Sequence, residues 1–83
     1  MRSQLVVFGR AECHLCQEMI NALTHLQKEL PFDFDVFDID GDPELKERYN
    51  EKVPVLMALD KQLEICHYYL DIDALNAYLA NAR

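Results

Sequence analysis

The sequence predicts a single α/β domain in which helices flank a four-stranded mixed sheet, with the element order β-α-β-α-β-β-α. Its 83 residues are the usual length of one domain, which we place over residues 1–83. Short apolar segments alternate along the chain with segments of helical periodicity. The motif Cys13-His14-Leu15-Cys16 stands between the first apolar segment and the first helical one.

The first half of the chain predicts a β-α-β unit. Residues 5–8 are a continuous apolar run with β-branched members, typical of a strand buried on both faces. Residues 13–30 have helical periodicity, and Pro31 ends it. Residues 32–39 predict a second strand, parallel to the first because a helix connects the two. The helix face predicted to be buried consists of Cys16, Met19, Ile20, Leu23, Leu26 and Leu30.

The turn at residues 40–43 predicts the start of a second, short helix. Asp42 is a favourable N-cap and Pro43 a favourable first helical residue. The helix continues over residues 45–49, and Asn50 ends it.

The last third of the chain predicts a β-hairpin and a third helix. Residues 53–59 are predicted to form a strand with Pro54 near its start, and residues 60–62 have the length of a hairpin loop. Residues 63–68 then form an antiparallel fourth strand. Asp71 or Asp73 is expected to cap the last helix. The buried face expected for that helix is Ile72, Leu75, Leu79 and Ala82.

The cysteine pair predicts thiol–disulfide exchange. Cys13 is placed at a helix N-terminus, where unpaired backbone N–H groups and the helix dipole favour a thiolate, so it is the predicted nucleophile. Cys16 lies one turn further on the buried face and is the predicted resolving thiol. His14 stabilises the thiolate when protonated and accepts a proton when neutral.

Composition and charge exclude several classes of partner. The formal net charge is −7, which argues against binding nucleic acid or an anionic membrane surface. No apolar segment approaches the ~18 residues of a membrane span, and the apolar part of residues 1–8 is too short for a signal peptide. We therefore expect a cytoplasmic protein whose cysteines serve catalysis, metal binding or packing.

Zinc binding by the cysteine pair is the main alternative to redox chemistry. Cys66 and His67 would have to supply the other two ligands. They are neighbours on one predicted strand and point to opposite faces, so we expect no metal site. Cys66 is instead predicted to pack as a small buried hydrophobic residue. Tyr68, Tyr69 and Tyr78 are predicted to be buried or half-buried packing residues.

Four segments together carry a resemblance to a known family. They are residues 8–16, Asp38-Ile39-Asp40, Asp42-Pro43-Glu44-Leu45 and Lys52-Val53-Pro54-Val55-Leu56. Over essentially its whole length the chain resembles the glutaredoxin-like branch of the thioredoxin superfamily. The resemblance implies a thioredoxin-like fold of the glutaredoxin type, with a cis peptide bond between Val53 and Pro54.

The resemblance also implies which residues surround the cysteines. The residues expected to bind substrate or to modulate reactivity are Arg10, His14, Leu15, Lys52, Val53 and Pro54. Arg10 stands three positions before Cys13, where glutaredoxins often carry a lysine, and is expected to stabilise a thiolate or to anchor a carboxylate. His14 and Leu15 replace the Pro-Tyr that is usual between the two cysteines.

The activity implied is that of an oxidoreductase in electron transport and cell redox homeostasis. Its substrate would be a protein disulfide or a glutathione mixed disulfide, and a reductase or glutathione would donate the electrons. The resemblance implies no bound cofactor, with glutathione acting only as substrate or reductant.

One departure from glutaredoxins favours a second interpretation. Those proteins carry a Gly-Gly pair near the end of the fourth strand, which lets the backbone approach glutathione, whereas residues 63–67 contain no glycine. The fold could therefore serve a non-enzymatic binding or regulatory module that holds a partner in the cis-proline groove. The intact pair of Cys13 and Cys16 favours the oxidoreductase.

Overall fold

The computed structural model describes residues 3–59 and 61–81, and it contains the predicted elements in the predicted order. The strands are β1 (Ser3–Gly9), β2 (Phe32–Asp38), β3 (Val55–Ala58) and β4 (Leu63–His67). The helices are α1 (His14–Leu26), α2 (Pro43–Tyr49) and α3 (Ile72–Asn81), and a 3-10 turn over Ile39–Gly41 precedes α2. Among the described residues, no helix combines the length and apolar character needed to span a bilayer.

The strands form one mixed sheet in the order β2-β1-β3-β4. β1 pairs in parallel with β2 and antiparallel with β3, and β3 pairs antiparallel with β4. Val7 of β1 therefore faces Val36 on one side and Leu56 on the other. This arrangement brings the end of β1, which leads into the cysteine motif, next to the start of β3.

Two apolar clusters cover the two faces of the sheet. The larger one packs α1 and α3 against one face. The smaller one packs α2 and the 3-10 turn against the other face through Ile39, Tyr49 and Val55. The buried residues of the larger cluster are Leu5, Val7, Met19, Leu23, Phe32, Leu56, Ala58, Leu75, Tyr78 and Leu79.

Helix α1 is shorter than its periodicity predicts. It begins at His14, with Cys13 as its N-cap, and ends at Leu26 instead of residue 30. Beyond that point the chain tightens into turns, in which Glu29 N–H donates to the Leu26 carbonyl at 3.0 Å. Pro31 disfavours a helical conformation only at Leu30, directly before it, so it limits the helical segment but does not explain the end at Leu26. Ile20, Leu26 and Leu30, which were predicted to lie on the buried face, are only partly buried against the core.

The capping predictions for α2 and α3 are confirmed. Asp42 Oδ1 accepts hydrogen bonds from the backbone N–H groups of Glu44 and Leu45, at 2.9 and 3.3 Å. Asp71 Oδ1 accepts from the N–H of Ala74 at 3.0 Å. In both cases a carboxylate satisfies helix N–H groups that have no partner within the helix.

Three predictions of burial near α3 are wrong. Ile72 is half exposed because it is the first residue of the helix and lies at its open end, and Tyr78 takes its place on the buried face. Tyr68 and Tyr69 are exposed because β4 ends at His67 and the chain turns away from the sheet. The predicted burial of Tyr78 is confirmed. The predicted burial of Ala82 and the placement of Asp60 in the hairpin loop lie outside the described residues.

Candidate functional site

The cysteine pair lies at the junction between β1 and α1. Cys13 has an extended backbone and is the N-cap of α1, and its Sγ accepts the backbone N–H of Cys16 at 3.1 Å. The two cysteines are joined by a disulfide, with their Cα atoms 5.1 Å apart. Cys13 is partly exposed, whereas Cys16 is 1% exposed. The motif therefore presents one sulfur to solvent and buries the other.

Gly9 makes room for the buried sulfur. A Cβ atom placed on Gly9 would lie 3.1 Å from Cys16 Sγ and 3.3 Å from Cys16 Cβ, closer than most such contacts. In the sequence, this glycine stands directly after the first predicted strand. Its role at the site depends on a contact between β1 and α1, which residue spacing does not reveal.

Arg10 links the end of β1 to the region around α2. Its Nη2 donates hydrogen bonds to Asp40 Oδ1 at 3.0 Å and to Asn50 Oδ1 at 2.6 Å. Its Nε is buried and has no hydrogen-bond partner among the described residues. The carboxylate that Arg10 contacts thus belongs to this chain, and the expected role of Arg10 toward the Cys13 thiolate stays a prediction.

The two residues between the cysteines differ in exposure. His14 is exposed, and its Nε2 lies 3.2 Å from Glu18 Oε1 one turn along α1. Leu15 is half-buried. The structure thus places both of them beside Cys13. The contact with Glu18 holds the ring of His14 along the side of α1.

The loop before β3 reaches the cysteines through the sheet register. Phe8 pairs with Val55, so Pro54 falls one position further, opposite Gly9. The Val53–Pro54 peptide bond is cis, and Pro54 is fully buried. The structure therefore brings Val53 and Pro54 close to Gly9, the residue that leaves room for Cys16.

Lys52 forms an ion pair with a residue of β4. Its Nζ lies 3.2 Å from Glu64 Oε1, and His67 Nδ1 lies 2.9 Å from the other oxygen of the same carboxylate. The hydrogen bond to His67, followed by that to Lys52, holds the pKa of Glu64 below its usual value. This bridge ties the loop before β3 to the end of β4.

Tyr68, like Gly9, is a residue of the site that the sequence analysis did not predict. Its backbone has φ 64°, a left-handed conformation that is uncommon for a residue with a large side chain. Its N–H donates to the Pro54 carbonyl at 2.9 Å, and its hydroxyl donates to the Glu51 carbonyl. These two hydrogen bonds hold the backbone on both sides of Lys52 and Val53. No sequence motif predicts the left-handed conformation of Tyr68.

The third cysteine is set apart from the pair by its environment. Cys66 is half-buried on β4, as part of the packing against the larger apolar cluster. Burial raises the pKa of its thiol. Within residues 3–59 and 61–81, no group of three or more His, Cys, Asp or Glu side chains is arranged to hold a metal ion.

Comparison with protein families identifies the chain. The family model described as Glutaredoxin-like domain (DUF836) matches residues 4–80. The chain belongs to the glutaredoxin-like domain family. No curated protein is significantly similar to this glutaredoxin-like domain in sequence.

Solved structures share the architecture. The solution structure of protein Ne2328 from Nitrosomonas europaea is 49% identical, with a TM-score of 0.87, and the match covers 95% of this chain and 93% of that one. The X-ray structure of protein XcR50 from X. campestris is 30% identical, with a TM-score of 0.74 and coverage of 95% and 99%.

A more distant match supports the fold alone. Thioredoxin 1 from Thermosipho africanus TCF52B is 22% identical, with a TM-score of 0.65 and coverage of 95% and 97%. The predicted thioredoxin-like fold and the predicted family are thus confirmed.

Proposed function

We propose that this glutaredoxin-like domain is a thiol–disulfide oxidoreductase with Cys13 as nucleophile and Cys16 as resolving thiol. The observation that carries the proposal is the unequal placement of the two sulfurs. Cys13 is partly exposed at the N-terminus of α1, and Cys16 is buried one turn away. Helix N–H groups and the helix dipole favour the thiolate of the exposed cysteine, which is the reactive form.

The proposed reaction reduces a substrate disulfide in two steps. The Cys13 thiolate attacks one substrate sulfur, the substrate S–S bond breaks, and the departing thiolate takes up a proton. The thiolate of Cys16 then attacks Cys13 Sγ in the mixed disulfide, which forms the Cys13–Cys16 disulfide and releases the second substrate thiol. The substrate gains two electrons, and an external dithiol reductase or two molecules of glutathione return the domain to its reduced form.

The loop before β3 is the proposed binding site for the substrate chain. Among the described residues, the backbone N–H and C=O of Val53 have no hydrogen-bond partner, although their neighbours Lys52 and Pro54 are tied to Tyr49 and Tyr68. A substrate backbone lying beside Cys13 can therefore pair with Val53 as a strand pairs with a sheet edge. We propose that the domain works in a reducing compartment such as the cytoplasm, where such reductants keep thiols reduced.

Trapping of the mixed disulfide tests the proposal. Cys16→Ser removes the resolving thiol, so incubation with a peptide disulfide should leave one peptide covalently bound to Cys13. Mass spectrometry of the intact protein measures the adduct and peptide mapping locates it. Cys13→Ser should form no adduct at this site, and Cys66→Ser is the matched control that should retain exchange. Absence of any adduct on the Cys16→Ser protein would contradict the proposal.

A binding module without redox activity is the second candidate function. It is favoured by Tyr68, whose side chain occupies the end of β4 where a glycine would leave the backbone accessible. A partner that binds the Cys13→Ser/Cys16→Ser double variant as tightly as the native protein would support this alternative. Loss of disulfide reduction in Cys13→Ser would support the oxidoreductase.

A further inference from the structure

A cleft opens between the end of β4 and the start of α3, next to the proposed redox site. Its volume is about 670 Å³. Its lining includes Glu64, His67, Tyr69, Asp71, Ile72 and Asp73. We refer to it below as the β4–α3 cleft.

The charge of the β4–α3 cleft is negative. Asp71 and Asp73 form no ion pair with any residue in 3–59 or 61–81, and the Asp71 carboxylate is engaged only as a helix cap. The nearby basic groups, Lys52 and His67, are both bound to Glu64. The carboxylates of Asp71 and Asp73 therefore remain available to a cationic partner.

The walls of the cleft are apolar as well as acidic. Tyr69 is 68% exposed and Ile72 is 50% exposed. Lys and Arg side chains suit such a surface because their aliphatic stems pack on apolar groups while the charged end reaches a carboxylate. The Tyr69 ring also offers a face to a cation.

The sheet register relates this cleft to β1, the strand that leads into the cysteine motif. His67 pairs with Val55, and Val55 pairs with Phe8, which precedes the Gly9 that contacts Cys16. Two strand spacings, or about 10 Å, separate His67 on β4 from Phe8 on β1. An extended polypeptide covers that distance in about three residues.

We propose that the β4–α3 cleft docks polypeptide substrates that carry Lys or Arg within a few residues of the disulfide that Cys13 attacks. This inference rests on the proposed oxidoreductase function and names its substrate class. The acidic and apolar lining discriminates against small anionic disulfides such as oxidised glutathione, since like charges repel at close range.

The test compares two peptide disulfides of equal length, which differ only in Lys or Glu at the third and fourth residues after the reacting cysteine. The rate of their reduction by the reduced protein is measured at low salt, with oxidised glutathione as a third substrate. We expect the Lys peptide to react about tenfold faster than the Glu peptide, and the difference to shrink in 0.5 M salt.

The double variant Asp71→Asn/Asp73→Asn locates the effect in the cleft. Asparagine is also a good N-cap, so α3 is retained. We expect the preference for the Lys peptide to fall about fivefold. The matched control is Asp35→Asn/Glu47→Gln, which removes two exposed carboxylates on β2 and α2 and should leave the preference unchanged.

The outcomes separate this inference from the function on which it rests. Equal rates for the two peptides, faster reduction of oxidised glutathione, or an equal effect of both double variants would overturn the docking proposal while leaving the oxidoreductase in place. Failure to reduce all three disulfides would overturn the proposed function, and the docking proposal with it.

Discussion

The three cysteines occupy three different environments, and this difference sets their chemistry. Cys13 is partly exposed at the start of a helix, Cys16 is fully buried behind it, and Cys66 is half-buried on a strand. A helix N-terminus favours a thiolate, whereas burial raises the pKa of Cys66 and keeps it protonated at neutral pH. Reactivity is therefore expected to follow position in the fold and not simply the presence of a thiol.

Alkylation of the reduced protein tests this order. At pH 7 we expect iodoacetamide to modify Cys13 at least about ten times faster than Cys66, because only thiolates react. Peptide mass spectrometry at increasing times measures both rates in the same sample. Cys66→Ser serves as the control and should leave the Cys13 rate unchanged. Faster labelling of Cys66 would contradict the assignment of Cys13 as nucleophile.

Glu64 gives a stability prediction with a defined sign. Its pKa is lowered in the folded state, mainly by the hydrogen bond to His67 and then by Lys52. The carboxylate therefore adds stability above the usual pKa of 4.5, and this contribution disappears as the pH falls through the lowered folded value. Because the bridge is partly exposed, we expect it to add at most about 1 kcal/mol.

Urea unfolding at pH 6.5 and pH 3 measures that contribution. Glu64→Gln should be less stable than the native protein at pH 6.5, and the difference should be smaller at pH 3. Glu44→Gln is a suitable control, since the Glu44–Arg48 pair on α2 is 4.0 Å apart and exposed. A Glu64→Gln protein that loses as much stability on acidification as the native one would refute the role of the bridge.

At the scale of elements, the contact between β1 and α1 depends on the absence of a side chain at Gly9. Gly9→Ala would place a methyl group 3.1 Å from Cys16 Sγ, and Cys16 has little room to retreat because it is buried. We expect a loss of about 1–2 kcal/mol in the free energy of unfolding, together with slower closure of the Cys13–Cys16 disulfide.

The second glycine of the chain is a matched control for this prediction. A Cβ atom on Gly41 would meet nothing within 4 Å, so Gly41→Ala should leave stability within about 0.5 kcal/mol of the native value. Denaturant unfolding and the rate of disulfide formation measure both variants. Equal effects of the two substitutions would show that Gly9 is not needed to seat Cys16.

The prediction of α2 depends on local sequence and was correct, whereas several predictions that depend on contacts elsewhere in the fold were wrong. Local chemistry predicted α2 well, since Asp42 and Pro43 specify the start of a helix without help from the rest of the chain. The exposure of Ile72 and Tyr69 was missed because it depends on where β4 ends and which surface remains open beside α3. Tyr68 was missed because a left-handed backbone at a tyrosine is imposed by its two hydrogen bonds to the neighbouring loop.

At the scale of the whole molecule, the fold class and the cysteine pair followed from the sequence because their signals are periodic or closely spaced. The surroundings of the pair did not follow as readily, since Gly9, Pro54 and Tyr68 are distant in sequence and meet only through strand register. The register itself is fixed by pairing between strands, which no single segment encodes.

The net charge of the molecule leads to a prediction about salt. A charge of −7 on 83 residues repels itself in the folded state, and salt screens that repulsion. We expect the Tm, measured by circular dichroism, to rise by a few degrees between 10 and 300 mM NaCl. This rise corresponds to a gain on the order of 1 kcal/mol in the free energy of unfolding. An equal rise in sucrose at matched osmolality, or a fall with salt, would contradict this explanation.

The position of β2 at an edge of the sheet bears on how these molecules behave when crowded together. Val36 and Phe37 are about half exposed on this strand, and an uncovered apolar edge invites another copy to extend the sheet. Asp35 and Asp38 flank them, so a second copy aligned antiparallel along this edge would bring like charges face to face. Carboxylates on the edge strand thereby favour dispersed molecules over stacked sheets at high concentration.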